Sequence, residues 1–271
     1  MSRGRFVIAA IIAIISLVAY FGKSSENPVT GEVQRVGDIT PDQEVALGLQ
    51  AAPEMAQQFG GLSQSAEARQ LVTDVCARLV SRSSVQPSTE YYRYDCHLLA
   101  DQNTVNAFAL PGGQVFITEA LMRRLDTEGQ LAGVLGHEIA HVVGRHGAEH
   151  IAKQQLTQGL TGAAVLATYD PNNPSTQGSA AVAMMIGQLI NMKFGREDEL
   201  ESDRLGVRFM GEAGYDPRSM VRVMQILAEA GGGGRQPEFF STHPSPENRI
   251  GRLEEAIAAE FPNGLPAGLE P

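Results

Sequence analysis

The chain has 271 residues and is acidic, with 21 Lys and Arg against 31 Asp and Glu and a formal net charge of −10. Of its residues, 43% are hydrophobic and 19% are charged, which is typical of a globular protein and too apolar for a disordered one. The acidic balance argues against a nucleic-acid partner, which requires a basic face, and the 2 cysteines are too few for a zinc ribbon or a disulfide scaffold.

The N-terminal segment is predicted to attach the chain to a membrane. Residues 6–22 form an uncharged run of 17 residues after Arg3 and Arg5, at the short end of what spans a bilayer. Basic residues before the run predict a cytoplasmic N-terminus with the rest of the chain outside the cytoplasm. Because the run ends without a small-x-small cleavage site, we favour an uncleaved signal anchor over residues 1–23. A cleaved signal peptide is the alternative.

In a bacterium, this orientation predicts an inner-membrane protein whose globular part lies in the periplasm, or a periplasmic protein if the signal is cleaved. Cys76 falls on the apolar stripe of a predicted helix, and Cys96 falls on the inward face of a predicted strand. In an oxidising compartment the two are able to form a disulfide, and two small core hydrophobes are the equal alternative. The sequence leaves both open.

The chain is predicted to hold one α+β domain behind a polar tether. Residues 24–39 form the tether, residues 40–260 a mostly helical domain with a small β-sheet, and residues 261–271 a flexible tail. Thr40 and Pro41 mark a helix start. The other predicted elements are a helix over 65–82, a strand over 91–100, a hairpin over 105–118, helices over 119–125 and 128–150, a helical hairpin over 159–194 and a last helix from Ser245, with Ile250 in its buried stripe.

Residues 137–141 read HEIAH, in which two histidines are one helical turn apart. On a helix, the imidazoles of His137 and His141 share a face and reach a single metal ion, and Glu138 lies beside the attacking water as its general base. Apolar residues on both sides predict a buried helix, which argues against a surface histidine pair. We therefore predict one zinc ion held by His137 and His141, with Glu138 as a catalytic residue.

Two more histidines follow on the same predicted helix. At about 100° per residue, His146 points about 140° away from His141, and His150 points about 180° away. Gly147 stands where a metzincin would have its third histidine. His146 and His150 are therefore predicted to be exposed or structural and not to be metal ligands.

The third zinc ligand is sought among the acidic residues of 196–204. Helical phase puts Asp203 in the apolar stripe and Glu199 one turn before it on the same edge, whereas Glu197 and Glu201 point to solvent. A buried carboxylate requires a partner. Glu199 is therefore predicted to be the third ligand, and Asp203 is predicted to orient a histidine ring or an arginine behind the metal.

These residues carry a family resemblance. Besides HEIAHVVGRH at 137–146 and ExxxD at 199–203, it includes NAFALPGGQVFIT at 106–118, ESDRLGVRFMGEAGYDP at 201–217 and STHPSPENR at 241–249. The chain resembles the gluzincin family of HtpX-like and CAAX-prenyl-protease-like zinc metallopeptidases, and within it the periplasmic BepA-like and LoiP-like branch. The resemblance covers about residues 40–260 and implies a zincin-like fold, with His137, His141 and Glu199 as the zinc ligands.

Two residues near the C-terminus have open roles. The resemblance implies that His243 lies near the metal, where it either stabilises the oxyanion of the tetrahedral intermediate or occupies the water site and holds the enzyme inactive. An exposed loop histidine is the remaining alternative. Arg249 is a candidate partner for Asp203, and an ordinary surface arginine is the equal alternative.

The residues predict a zinc-dependent metalloendopeptidase that hydrolyses internal peptide bonds. The hairpin strand with Asn106, Phe108 and Leu110 is expected to receive an extended peptide along its free edge. The resemblance implies quality control of misfolded or unassembled envelope proteins. The alternative is a non-hydrolytic periplasmic chaperone or assembly factor on the same fold, which would function without Glu138. No sequence feature indicates the oligomeric state.

Overall fold

The computed structural model describes residues 3–22, 24–27, 29–37, 39–168, 193–231, 237–245 and 248–271. The chain divides into two compact units, one of residues 1–40 and 147–192 and one of residues 41–146 and 193–271. Most of the helical hairpin predicted over 159–194 lies outside the described residues. The described elements are α1 Arg3–Phe21, β1 Ser25–Glu26, β2 Val33–Gln34, α2 Pro41–Gln58, α3 Ala66–Arg82, β3 Asp95–Leu99, β4 Ala107–Leu110, β5 Gln114–Thr118, α4 Glu119–Met122, α5 Glu128–Val143, α6 His146–Thr168, α7 Arg196–Ala213, α8 Arg218–Ala230, α9 Phe239–Thr242 and α10 Arg249–Glu260.

The first unit begins with α1, which contains the apolar run of the N-terminus. Strands β1 and β2 follow it as a short antiparallel pair. Within the described residues, no helix combines the length and the hydropathy needed to cross a membrane. Large apolar side chains of α1 are nevertheless exposed, namely Val7, Ile8, Ile11, Ile14, Ile15, Leu17, Val18 and Phe21.

Helix α5 lies at the centre of the second unit. It follows the capping residue Thr127 and is buried on all sides from Gly129 to Val143, against α3, α7, α8 and the sheet. Helix α7 approaches α5 closely, because a Cβ on Gly206 would lie only 3.2 Å from the backbone nitrogen of His137. A mostly helical α+β fold with a small sheet is thereby confirmed.

The small sheet of the second unit has the strand order β3-β5-β4. Strand β3 runs parallel to β5, and β4 runs antiparallel to it, with Phe108 opposite Phe116. The hairpin predicted over 105–118 is confirmed, and Gly112 and Gly113 make its turn with positive φ angles of 84° and 111°. Among the described strands, β4 pairs only with β5, so its other edge has no strand partner there.

A disulfide joins Cys76 on α3 to Cys96 on β3. The two alternatives that the sequence leaves open are thus decided in favour of the bridge. The linked residues are 20 positions apart. Closing a loop of that length is expected to stabilise the folded chain by about 3 kcal/mol, because it restricts the unfolded ensemble.

The long helix predicted over 128–150 is wrong, since α5 ends at Val143 and α6 begins at His146. Arg145 takes a left-handed conformation with φ of 56°, which interrupts the helix. Its Nε donates to Glu44 Oε1 at 2.8 Å, and this pairing with a distant carboxylate favours the interruption. Because of the break, the helical angle predicted between His141 and His146 does not apply.

The start of the last helix is also corrected. Helix α10 begins at Arg249 and not at Ser245, and the residue before it, Asn248, has a left-handed φ of 56°. Arg249 and Leu253 are buried in this helix, whereas Ile250 is 37% exposed, so the prediction of Ile250 in the buried stripe is wrong.

The last residues of the chain, predicted as a flexible tail, include Glu270 and Pro271. The backbone nitrogen of Gly129 donates to Pro271 O at 2.9 Å, and that of Asp216 donates to Glu270 O at 2.8 Å. The Glu270 carboxylate also pairs with Arg78. These bonds connect the end of the chain to the first turn of α5 and to the segment before α8.

The buried Glu44 predicts a pH dependence of stability. Burial raises the pKa of its carboxyl to about 7 from 4.5, although Arg145 opposes the rise. Between those pH values the folded state keeps a proton that the unfolded state has released, so stability falls as pH rises. Relative to Glu44→Gln, the wild type should lose about 3 kcal/mol of unfolding free energy between pH 4.5 and about pH 8, where the loss levels off. Urea unfolding of both proteins across this range checks the difference, and parallel curves would contradict it.

Candidate metal centre

Four buried residues of the second unit converge at one point. His137 and His141 on α5, Glu199 on α7 and His243 after α9 each offer one ligand atom, and these atoms lie within 4.8 Å of one another. Nε2 of His137 is 3.1 Å from Nε2 of His141, and both nitrogens lie 3.5 Å from an oxygen of Glu199. The three residues predicted as zinc ligands are thus brought together.

The donor set suits a zinc ion. Two imidazoles and a carboxylate are the protein ligands of one common kind of catalytic zinc site. Burial lowers the pKa of His141 well below its usual value, so its ring is neutral, as a ligand must be. Burial also acts to lower the pKa of His137, but its hydrogen bonds to Asp203 and Glu199 raise it to about 9 overall, so this ring must release a proton to bind a metal ion. Burial raises the pKa of Glu199, but His243 and the hydrogen bonds from His137 and His141 lower it well below its usual value overall. Glu199 is therefore ionised, as a ligand also must be.

Glu138 lies next to this group and is fully buried. Within the described part of the chain, neither of its carboxylate oxygens has a hydrogen-bond partner. Burial raises the pKa of this carboxyl, although His243 and His137 oppose the rise. Burying a carboxylate without a hydrogen bond destabilises the fold unless a ligand or a solvent molecule supplies that hydrogen bond. Glu138 is therefore well disposed to accept a proton.

Asp203 and Arg249 support His137 from behind. Asp203 Oδ1 lies 2.9 Å from His137 Nδ1, so this nitrogen donates its proton to the carboxylate and Nε2 is left for the metal. Nε and Nη2 of Arg249 each donate to Asp203 at 2.8 Å. Both residues are buried, so Arg249 is not a surface residue and is the partner predicted for Asp203.

His243 is fully buried, which excludes the exposed loop histidine. Its Nδ1 lies 3.0 Å from Glu199 Oε1, and its Nε2 lies 3.5 Å from Glu138 Oε1. The ring of Phe239 stacks on it at a centroid distance of 4.5 Å. The imidazole thus stands between the predicted third ligand and the predicted base.

Sequence reasoning missed Phe194. Its ring stacks on His141 at a centroid distance of 3.9 Å, and its backbone nitrogen donates to Thr242 O at 3.1 Å. It is a single apolar residue beside Lys193 and Gly195, where no periodicity marks it as buried. Phe194 and Phe239 therefore cover two of the imidazoles of the centre.

Glu201 differs from its predicted surroundings, whereas His146 is structural, which is one of the two alternatives predicted for it. His146 lies outside the four-residue cluster, as predicted, but it is buried and bonded to His141, with 2.8 Å between their Nδ1 atoms. Glu201, predicted to face solvent, has its Oε2 3.1 Å from His146 Nε2, and its side chain is 14% exposed. The solvent-facing interpretation of Glu201 is therefore wrong, whereas Glu197 is exposed as predicted.

The fold and this group of side chains define the class of the protein, which is that of the zinc metallopeptidases. An HExxH helix carries two histidines and a glutamate, and a second helix brings another glutamate to them. The chain belongs to Peptidase family M48, which its residues 65–257 match. One zinc ion is the cofactor that this family and the donor set imply.

Curated relatives agree with the BepA-like branch. The chain is 34% identical to the beta-barrel assembly-enhancing protease of Escherichia coli over 188 aligned residues. This alignment covers 67% of this chain and 37% of the relative. The protein of the same name from Yersinia pestis is 33% identical over 219 residues, 78% of this chain and 43% of the relative. The mitochondrial metalloendopeptidase OMA1 of Schizosaccharomyces pombe is 30% identical over 264 residues, 93% of this chain and 72% of the relative. The chain thus spans less than half the length of these bacterial relatives.

Proposed function

We propose that this chain is a zinc-dependent metalloendopeptidase that hydrolyses internal peptide bonds. The observation that carries the proposal is the convergence of His137, His141 and Glu199 beside Glu138, whose two buried oxygens have no hydrogen-bond partner among the described residues. A structural zinc site usually has four protein ligands and no adjacent base. Here a base adjoins the ligands, which favours catalysis.

In the proposed reaction, each residue has one role. Zinc, when bound, polarises the scissile carbonyl and lowers the pKa of water. Glu138 takes the proton of the attacking water on a carboxylate oxygen and passes it to the leaving nitrogen. Asp203, held by Arg249, keeps the proton of His137 on Nδ1. The buried surroundings strengthen each of these electrostatic interactions.

Strand β4 is the proposed binding edge for the substrate. The edge of β4 that pairs with no described strand would offer backbone groups to which an extended peptide adds as a further strand, with little dependence on side chains. Just before the strand, Asn106 Oδ1 is buried and has no hydrogen-bond partner in the described part of the chain. An edge of this kind suits unfolded segments, and misfolded or unassembled envelope proteins are the proposed substrates. The name of the bacterial relatives, beta-barrel assembly-enhancing protease, supports a role in the envelope.

For His243, we favour occupation of the water site over stabilisation of the oxyanion. Its ring lies between Glu199 and Glu138, with contacts of 3.0 and 3.5 Å to their oxygens. The centre is closed in this arrangement, because His137, His141, Glu199 and His243 are at most 2% exposed. A peptide requires His243 to leave before it reaches Glu138. The enzyme is thus proposed to rest in a closed, inactive state and to cleave peptides only in the fraction of molecules in which His243 has moved away.

The N-terminal helix α1 is proposed to anchor the chain in the inner membrane, with the peptidase domain of residues 40–260 in the periplasm. Two features of α1 support this proposal, namely its exposed apolar side chains and the basic residues Arg3 and Arg5 before them. We expect the expressed chain to stay in the membrane fraction after an alkaline carbonate wash. A variant without residues 6–22 should become soluble. Release of the full chain by the wash would contradict the anchor.

Metal removal tests the proposed activity. The full chain, purified in mild detergent, is expected to contain one zinc ion and to cleave casein, an unfolded protein. A zinc chelator should abolish cleavage, and added zinc should restore it, because His137, His141 and Glu199 supply the ligands. Zinc content and casein fragments are measured in the same samples. Cleavage by the zinc-free protein would contradict the proposal.

If the folded, zinc-loaded chain does not cleave casein, the variant His243→Ala separates the remaining alternatives. His243→Ala should then switch cleavage on if His243 holds the enzyme inactive. If His243→Ala is also inactive, a chaperone or assembly factor on the same fold becomes the better reading.

A further inference from the structure

We propose that His146 and Glu201 form a positioning pair that fixes the ring of the zinc ligand His141. The two Nδ1 atoms of His141 and His146 lie 2.8 Å apart, and His146 Nε2 lies 3.1 Å from Glu201 Oε2. His146 is 2% exposed. The inference rests on the proposed function, because it concerns a ligand of that same centre.

The hydrogen bonds determine which nitrogens carry protons. Nε2 of His141 faces His137 at 3.1 Å and Glu199 at 3.5 Å, so it is the metal-facing atom and its proton is on Nδ1. Only one proton fits between the two Nδ1 atoms, so His146 Nδ1 accepts. The Ser202 hydroxyl, 3.3 Å from the same nitrogen, is able to donate to it as well.

The remaining proton of His146 is then on Nε2, where it is donated to the Glu201 carboxylate. Each zinc-binding histidine therefore has a carboxylate behind it. For His137 the carboxylate of Asp203 is in direct contact, and for His141 the carboxylate of Glu201 acts through His146. Such outer partners fix the tautomer and the ring orientation of a ligand and raise its basicity.

The break between α5 and α6 makes this contact possible. His146 is the first residue of α6, and its ring folds back over the end of α5. A Cβ on Gly144 would lie only 2.5 Å from His146 Nε2, so the ring fits because residue 144 is a glycine. A side chain there would displace the ring from both His141 and Glu201.

The test measures zinc affinity by competition with a chromogenic chelator, using the full chain. His146→Leu removes both hydrogen bonds and should weaken zinc binding about 10- to 100-fold. His146→Gln keeps an acceptor for His141 and a donor for Glu201, and it should recover most of the affinity. Glu201→Gln should weaken binding by less than His146→Leu. Glu197→Gln, the same change at an exposed position of the same helix, is the matched control and should have no effect.

Cobalt substitution gives a second readout that does not depend on activity. The visible spectrum of the cobalt-loaded protein should change in His146→Leu and stay as in the wild type in Glu197→Gln, because the first change reorients a ligand ring. Unchanged zinc affinity and an unchanged spectrum in His146→Leu would overturn the inference. If His146→Leu fails to fold, Glu201→Gln is the deciding variant. A zinc affinity of Glu201→Gln equal to that of the wild type would then overturn the inference.

The outcomes separate the two proposals. If the wild type binds no zinc, the proposed function fails. If the wild type binds zinc and cleaves casein but His146→Leu binds zinc equally tightly, only the positioning role fails.

Discussion

Glu138→Gln is expected to lower peptide cleavage by about 1,000-fold or more while one zinc ion stays bound, since general-base catalysis contributes about 100- to 10,000-fold. The amide has the shape of the carboxyl group but cannot accept the proton of the attacking water. None of the ligand atoms of the cluster belongs to Glu138. Casein cleavage and zinc content, measured on the same preparation, check both parts of the result.

The same variant should not be less stable than the wild type. Both carboxylate oxygens of Glu138 are buried and unbonded within the described residues, so the change removes a costly group and no hydrogen bond. Glu128→Gln, the same change in the first turn of α5, is the matched control and should cleave normally. Wild-type cleavage by Glu138→Gln would mean that another group is the base.

Arg249→Met is expected to lower the unfolding free energy of the zinc-free protein by about 3–5 kcal/mol. Arg249 is buried, donates twice to Asp203 at 2.8 Å and lies 3.1 Å from Glu199 Oε2. Without it, the buried Asp203 carboxylate loses its principal counter-charge, and the buried Glu199 carboxylate loses a neighbouring positive charge. Urea unfolding checks the loss, and Arg249→Lys should recover only part of it, because an ammonium lacks the planar fork of a guanidinium.

Two controls identify the cause of that loss. Arg252→Met changes an exposed arginine of the same helix, paired with Glu255 at the surface, and should shift stability by at most about 0.5 kcal/mol. Combining Arg249→Met with Asp203→Asn should cost less than the sum of the single changes, since the second removes a charge that the first leaves unpaired. Additive losses would show that Arg249 stabilises the fold by packing alone.

Local periodicity was sufficient to predict much of the centre. The HEIAH spacing depends only on helical geometry, and α5 is a regular helix where the motif lies. Helical phase also selected Glu199 and Asp203 from five neighbouring acidic residues, because α7 is unbroken and buries one face. Turn chemistry likewise predicted the hairpin of β4 and β5, where Gly112 and Gly113 take positive φ angles.

Prediction failed where distant residues decide the local conformation. The helix break at Arg145 accompanies a bond to Glu44, about 100 positions earlier in the chain, and no local pattern contains it. The orientation predicted for His146 assumed that the helix continues through residue 145. The orientation predicted for Glu201 assumed that its side of α7 faces solvent. Phe194 is buried because it packs against the histidine rings of the centre, and the residues next to it in the sequence give no sign of this packing.

The hydrogen bond from Phe194 to Thr242 joins the two sides of the cover over the centre. Phe194 stacks on His141, and Thr242 is the residue immediately before His243. The proposed movement of His243 would also move Thr242 and break its hydrogen bond to Phe194, so we expect entry of a peptide and exposure of the metal ligands to bulk water to be a single event. Protection of the bound ion and access for the substrate are then in direct opposition. Under this proposal, we expect a variant whose centre opens more often to turn over faster and also to lose its zinc faster.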